Sequence, residues 1–365
     1  MTADSKPFWS CEEDTHWPSD LDICIIILDI FGFIANLTVT ILLFLLRAKK
    51  SEDLVLLRVL SLSCLVATLV SFVDEVVGNS RITGNVFLDD LICVLWSTRF
   101  LYWYSKAQVY HGFFYFACNR AFEVLSMQHY RLTTETQRLT AYLLLVFICS
   151  FLSTAPQLLQ AQPQVKNCAC APPTEDWAIL TIIYAHSFLW VAFFLVIYPA
   201  ILVYICIALL VRLWRMERVD MVDELDKLSF PESGSSSSPS PGITPSTFSV
   251  SFSTHADACD GDMCNAVVPK TSDEVSAHHV WSASFCIIPL TTAYIATFSC
   301  DAIYQLLSTT GYLTYVLHSP SQNSSEVLLD LFIALVPVIL FFHIPAMRSL
   351  ILTSIACIKK RCNKD

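Results

Sequence analysis

The stretch Ile23-Cys24-Ile25-Ile26-Ile27-Leu28-Asp29-Ile30-Phe31-Gly32-Phe33-Ile34-Ala35-Asn36-Leu37-Thr38-Val39-Thr40-Ile41-Leu42-Leu43-Phe44-Leu45-Leu46 carries one ionisable residue in its whole length. A helix needs roughly 20 apolar residues to cross a bilayer. The same signal returns at Leu54–Val77, Leu91–Leu125, Leu139–Leu159, Trp177–Leu213, Val275–Leu307 and Val327–Pro345. Backbone amides in hydrocarbon must bond within their own segment, so these stretches predict helices. No ten-residue alternating stretches point to a barrel. The expected fold is all-α: a polytopic membrane protein with a seven-transmembrane-helix bundle. A mean hydropathy of +0.56 argues against a soluble helical core of this length.

Basic residues orient the bundle. Arg47, Lys49 and Lys50 follow segment one, Arg131 and Arg138 follow segment three, and Arg212, Arg215 and Arg218 follow segment five. Lys359, Lys360, Arg361 and Lys364 close the chain, whereas the opposite side has little beyond Lys6, Arg81 and Lys166. Positive residues stay in the cytoplasm, so the N-terminus is expected outside, with the plasma membrane as the expected location. The expected organisation is an extracellular tail at 1–21, the bundle at 22–347, and a cytoplasmic amphipathic eighth helix and tail at 348–365. Residues 214–271 form a long third cytoplasmic loop. Its run Pro231-Glu232-Ser233-Gly234-Ser235-Ser236-Ser237-Ser238-Pro239 cannot bury a core and is expected to be disordered, a passive linker or a phosphorylation substrate. There is no basic patch with interleaved aromatics, so nucleic acid is not an expected partner.

On the outer side Cys93 is expected to bridge Cys168 or Cys170, closing a loop of roughly 75 residues. Cys357 and Cys362 beside Lys359–Arg361 suit palmitoylation on the inner surface. Asn323-Ser324-Ser325 is an outer glycosylation sequon.

Ionisable residues within spans mark function. Lys106 lies near mid-bilayer and needs a partner. Asp330 and Glu326 are four apart on segment seven, on one face. Asp330 lies at about the depth of Lys106, and the two are expected to pair, with Asp29 able to join them. Asp74 and Glu75 lie on the outer half of segment two. Meeting Lys106, Arg99 and water is the purely structural role these acids allow. Tyr102, Trp103, Trp190, Tyr294 and Phe298 line the outer halves. An acid-rich mouth favours a peptide or another cationic ligand, with Asp74, Glu75, Tyr102, Trp103, Lys106, Tyr294, Glu326 and Asp330 as candidate contacts. No cofactor, metal site or enzymatic motif is expected.

Several motifs recur in order. They are Gly32-Phe33-Ile34-Ala35-Asn36, Asn119-Arg120-Ala121-Phe122, Phe194-Leu195-Val196-Ile197-Tyr198-Pro199, Cys286-Ile287-Ile288-Pro289 and Val336-Pro337-Val338-Ile339-Leu340. Together they resemble a rhodopsin-like (class A) G-protein-coupled receptor across all seven segments. The resemblance implies a receptor that activates heterotrimeric G proteins, with receptor kinases and arrestin acting at the third cytoplasmic loop. It assigns activation to Asn119, Arg120, Pro199, Cys286, Pro289 and Pro337. The sequence departs from that pattern at Asn119 where the family has an acid, at Cys64 where it has an aspartate, and at Val336 and Leu340. No lysine in segment seven is present to bind retinal. A transporter or a seven-helix ligand-gated channel is the competing class. A transporter would show broken helices in pairs and an internal repeat, and no repeat is visible.

Overall fold

Capping chemistry starts the first helix. The Ser19 hydroxyl accepts from the Asp22 N–H at 3.3 Å, and the Asp22 carboxylate accepts from the Ser19 N–H at 2.8 Å. This reciprocal pair satisfies two donors that a helix end leaves open. In the computed structural model of the chain the described residues are 9–11, 18–48, 52–77, 85–92, 95–96, 98–124, 135–159, 161–163, 168–170, 177–215, 228–229, 285–317, 319–344, 347–348 and 351–352. Two units divide the chain: Met1–Phe230 with Trp281–Asp365, and Pro231–Val280. The second lies outside the described residues, as does nearly all of the expected third loop.

The helices are α1 (Asp20–Leu45), α2 (Glu52–Val77), a short α3 (Val86–Ile92), α4 (Phe100–Val124), α5 (Glu135–Thr154), α6 (Trp177–Val191), α7 (Tyr198–Arg215), α8 (Ile287–Thr309) and α9 (Pro320–His343). A 3₁₀ turn, Ala155–Leu159, ends α5, and a π-helical segment, Ala192–Ile197, joins α6 to α7. Short strand pairs tie the connections: Trp9–Cys11 with Tyr315–Leu317, Arg47–Ala48 with Leu228–Ser229, and Ala161–Pro163 with Cys168–Cys170. Among the described residues, six helices are long and apolar enough to cross a membrane. The protein is a multi-pass helical membrane protein.

Helix α4 is as long as these but more polar, and its position explains why. It packs on α2, α5 and α7, and no residue from Phe100 to Ala121 is exposed. A helix shielded by its neighbours has no need of an apolar surface all round. Helix α1 is the opposite case. Ile27, Ile34 and Phe44 are 61%, 60% and 58% exposed, an apolar stripe suited to lipid.

Segment three differs from the continuous helix expected over Leu91–Leu125. It is broken ahead of α4, where Arg99 takes a left-handed backbone with φ 55°. Helix α9 begins seven residues earlier than the expected Val327. Ser319 caps it through the Gln322 N–H at 3.3 Å, and Pro320 occupies its first turn. Pro289 stands third in α8, close to its start; the expected residues of segment six before 285 lie outside those described. Of the expected eighth helix, residues 348, 351 and 352 are helical; Cys357 and Cys362 lie outside the described residues, as does Cys93.

Close packing of α1, α2 and α9 centres on Gly32. A Cβ there would lie 2.9 Å from Thr68 Cγ2 and 3.6 Å from Ala334 Cβ. Asn36 Nδ2 donates to the Gly32 carbonyl at 2.9 Å and to that of Ile333 at 3.4 Å, pinning α1 to α9. Thr68 has little room to yield, because its hydroxyl is bonded to the Cys64 and Leu65 carbonyls. Gly32→Ala is expected to destabilise the bundle by about 1–3 kcal/mol through overpacking. Thr68→Ser, which removes Cγ2, should restore most of the loss. Thermal unfolding of detergent-solubilised protein reads both, and a neutral Gly32→Ala would refute the steric account.

Candidate functional site

The site is built on the start of α4. Arg99 precedes that helix, and Tyr102 and Lys106 follow at spacings of three and four, so all three share one face. Non-glycine residues rarely adopt a positive φ. Here two hydrogen bonds hold the backbone: Arg99 N–H to the Trp96 carbonyl at 2.8 Å, and Trp103 N–H to the Arg99 carbonyl at 3.0 Å.

Arg99 is 7% exposed and joins three helices. Its Nη1 and Nη2 donate to the two Glu326 oxygens of α9 at 2.6 and 2.9 Å. Its Nε donates to Asp74 Oδ2 of α2 at 2.8 Å. A planar guanidinium suits this fork-on-fork geometry, which an ammonium could not make. Gln322 Nε2 also donates to Glu326, at 2.9 Å. Two turns further into the bundle, Lys106 Nζ donates to Asp330 Oδ1 of α9, and the lysine is fully buried. The Lys106–Asp330 pair expected from matching depth is therefore present. The ring of Tyr102 serves both cations, with the Arg99 guanidinium and Lys106 Nζ each 4.1 Å from its centroid. Cation–π attraction of this kind strengthens where water is excluded.

Three further acids surround this core. Asp29 is fully buried, and neither of its oxygens makes a close hydrogen bond. It lies within electrostatic reach of Asp330, Lys106 and Glu75, with the Ser71 hydroxyl as a weak hydrogen-bonding neighbour. Glu75 is half-buried beside Asp74. Asp301 of α8 is fully buried and accepts from Gln305 Nε2 at 2.9 Å and from the Ser325 hydroxyl at 3.3 Å. The cluster holds Asp29, Asp74, Glu75, Asp301, Glu326 and Asp330 against Arg99 and Lys106. This excess of acidic over basic groups can be answered by protons on the buried acids or by an added cation. Among the described residues, no group of three or more His, Cys, Asp and Glu side chains is placed to hold a metal ion.

An aromatic floor underlies the charges. Tyr110 packs on Phe194, Tyr294, Phe298 and Phe332 with centroids 5.1–6.0 Å apart. Trp103 meets Tyr102 at 5.3 Å and Trp190 at 6.1 Å. Of the expected residues, Tyr102, Trp103, Lys106, Asp74, Glu326 and Asp330 converge at this end, while Tyr294 belongs to the floor. Arg99 emerges as the organising group, and Asp301 joins the cluster. Its signal was an acid inside an apolar stretch, the same signal that marks Asp330. Asn323 Nδ2 donates to Asp22 Oδ1 at 3.1 Å, and a glycan on this amide would replace one of its two N–H donors.

No family model matches this sequence, and no curated protein matches it.

The opposite end of α4 holds Asn119 and Arg120. Asn119 Oδ1 accepts from Arg138 Nε of α5 at 3.0 Å. Arg120 lies within electrostatic reach of Cys286 at the start of α8. Pro199 has a clear structural consequence. It follows the π segment, where the Tyr198 N–H bonds to the Phe193 carbonyl in place of that of Phe194. The Phe194 carbonyl has thus lost its α-helical donor, and its π-helical donor would be Pro199, which has no N–H. The Tyr294 hydroxyl of α8 donates to it at 2.6 Å. Tyr294→Phe should leave that carbonyl unsatisfied and cost about 1–3 kcal/mol in thermal unfolding. Leu195→Ala at the neighbouring position is the control for general loss of packing. No difference between Tyr294→Phe and wild type would show that the bond contributes nothing.

Proposed function

We propose that this chain is a seven-helix cell-surface receptor, with α4 as its third span, that binds an organic cation or a basic peptide at the Arg99–Lys106 end and activates heterotrimeric G proteins at the Arg120 end. The observation that carries the reading is the charge balance of the buried cluster, six carboxylates against two basic groups. An anionic ligand would meet carboxylates already bonded to both basic groups. A cationic one would meet carboxyl groups bonded to neither basic group, beside the faces of Tyr102 and Trp103. The N-terminus is read as extracellular and the location as the plasma membrane, on the strength of the basic residues between spans. Glycosylation at Asn323, a Cys93 bridge to Cys168 or Cys170, and kinase and arrestin action on the third loop belong to the same reading.

A half-buried Arg120 within electrostatic reach of Cys286 at the start of α8 supports coupling at the inner end. An outward movement of α8 would uncover it to a cytoplasmic partner, and Asn119, held by Arg138, supplies no carboxylate to restrain it. Measurable ligand-free activity follows. Purified receptor should accelerate nucleotide exchange on at least one member of a G-protein panel, and Arg120→Ala should abolish the acceleration. Absence of exchange across the panel, with and without a library of amines and basic peptides, would sink the receptor reading in favour of a transporter or channel. An N-terminal epitope tag should be reachable on intact cells and a C-terminal tag should not. The reverse pattern would invert the orientation.

A further inference from the structure

The six carboxylates of the cluster are not equivalent. Asp74 and Glu326 are bonded to Arg99, Asp330 to Lys106, and Asp301 to Gln305 and Ser325. Glu75 is half-buried. Asp29 alone combines complete burial with two carboxylate oxygens that make no close hydrogen bond, the Ser71 hydroxyl being a weak hydrogen-bonding neighbour. The Ser71 hydroxyl beside it is fully buried and makes no close hydrogen bond of its own. A carboxylate in this setting is costly unless something positive answers it.

The nearest organic cation belongs to the chain. Lys106 acts electrostatically on Asp29 as well as on Asp330. Its ammonium sits on a four-carbon stem with rotatable bonds, so a change of partner needs a change of rotamer and no movement of backbone. The Tyr102 face, 4.1 Å from Nζ, provides a surface along which the charge can shift. Asp29 is on α1 and Asp330 on α9, two helices packed directly on each other. Above them, toward the Asp22 end, the Arg99 knot closes the cluster with Glu326 and Asp74.

We infer that Asp29 is a second station for the Lys106 ammonium, taken up when an organic cation bearing N–H donors, an ammonium or a guanidinium, occupies Asp330. Asp330 can receive such a group because its Oδ2 has no hydrogen-bond partner. Lys106 then leaves Oδ1 and is received by Asp29 and Ser71, so the displaced ammonium is not stranded. A ligand without a lysine acceptor to hand would have to strand Lys106 to bind at Asp330. Asp29 therefore makes the site specific for cations and ties their arrival to a transfer of charge from α9 to α1. The signalling consequence rests on the receptor reading. The hand-over is tested without it.

The test uses full-length protein in detergent and thermal unfolding midpoints for Asp330→Asn, Asp29→Asn, the double variant, and the double variant with Lys106→Met. With a second station, Asp330→Asn alone lowers the midpoint by no more than about 2 °C, because Lys106 moves to Asp29. Asp29→Asn alone leaves the midpoint unchanged or raises it, since it removes a carboxylate with no close hydrogen bond. The double variant strands Lys106 and falls by about 5–10 °C beyond the sum of the two. Adding Lys106→Met recovers most of that loss. If the double variant does not accumulate, membrane yield replaces the midpoint, and Lys106→Met must restore it. Additive single effects, or failure of Lys106→Met to rescue, overturn the inference. A positive cycle with no nucleotide exchange would retain the hand-over and reject the receptor; exchange with an additive cycle would do the reverse.

Discussion

A guanidinium removed from water must be met on every side, and Arg99 shows what that demands of the structure. Its fork occupies both Glu326 oxygens and its Nε occupies Asp74, which fixes α2 and α9 relative to the start of α4. The position is reached only by placing the Arg99 backbone at φ 55°. That conformation costs of order 1 kcal/mol or more, so the surrounding contacts must hold it. Three charge-assisted bonds and two backbone bonds do so. Removing either carboxylate would leave part of a buried charge unpaired, and the penalty for a broken buried pair exceeds the stabilisation the intact pair provides. The knot thus specifies one arrangement of helices more than it strengthens that arrangement.

Much of this was legible in the sequence, and the limits have physical causes. The long apolar stretches mark the helices because a bilayer requires internally bonded backbone. The Lys106–Asp330 pair followed from counting depth along two helices to Arg120 and Pro337, since rise per residue is constant. Glu326 was placed on the face of Asp330 and Arg99 was among the groups these acids were read as meeting, but the break in segment three that makes Arg99 the organising group was hidden. Arg99 lies seven residues before Lys106, two turns along the same face, and that spacing was the available sign. A left-handed residue leaves no local mark when it is not glycine. Asp301 could be recognised as an acid in an apolar stretch, but its face could not be fixed, because its partners Gln305 and Ser325 read as ordinary polar residues. The bond from Tyr294 to Phe194 was invisible, since the carbonyl is orphaned only after the chain adopts a π turn.

The two ends of α4 obey different rules. Near Arg99 and Lys106 the bonds are ionic, with Asp74, Glu326 and Asp330 holding two buried cations. Near Arg120 they are mixed: an amide accepts from Arg138, and Arg120 lies beside a thiol. A neutral amide in place of a carboxylate at Asn119 gives the weaker bond of the two chemistries. Rigidity is therefore concentrated at one end of the helix, and the freedom to rearrange at the other.

Between the ends, the aromatic floor determines how a change at the cluster can travel. Tyr110 contacts Phe332 of α9, Tyr294 and Phe298 of α8, and Phe194 of the π segment, so one α4 ring touches all three neighbours. Packed cores move between discrete arrangements and do not deform smoothly. Tyr294 adds a directional bond to this contact set, from α8 to a carbonyl whose only other helical donors have been taken away by Pro199 and the π register. A movement of α8 away from α7 must break that bond and strand the carbonyl in a dry interior, which opposes drift more strongly than packing alone. The same proline that disrupts the ladder of segment five therefore creates the acceptor that holds segment six against it. A shift in how Lys106 is shared between α1 and α9 would reach this latch through rings already in contact.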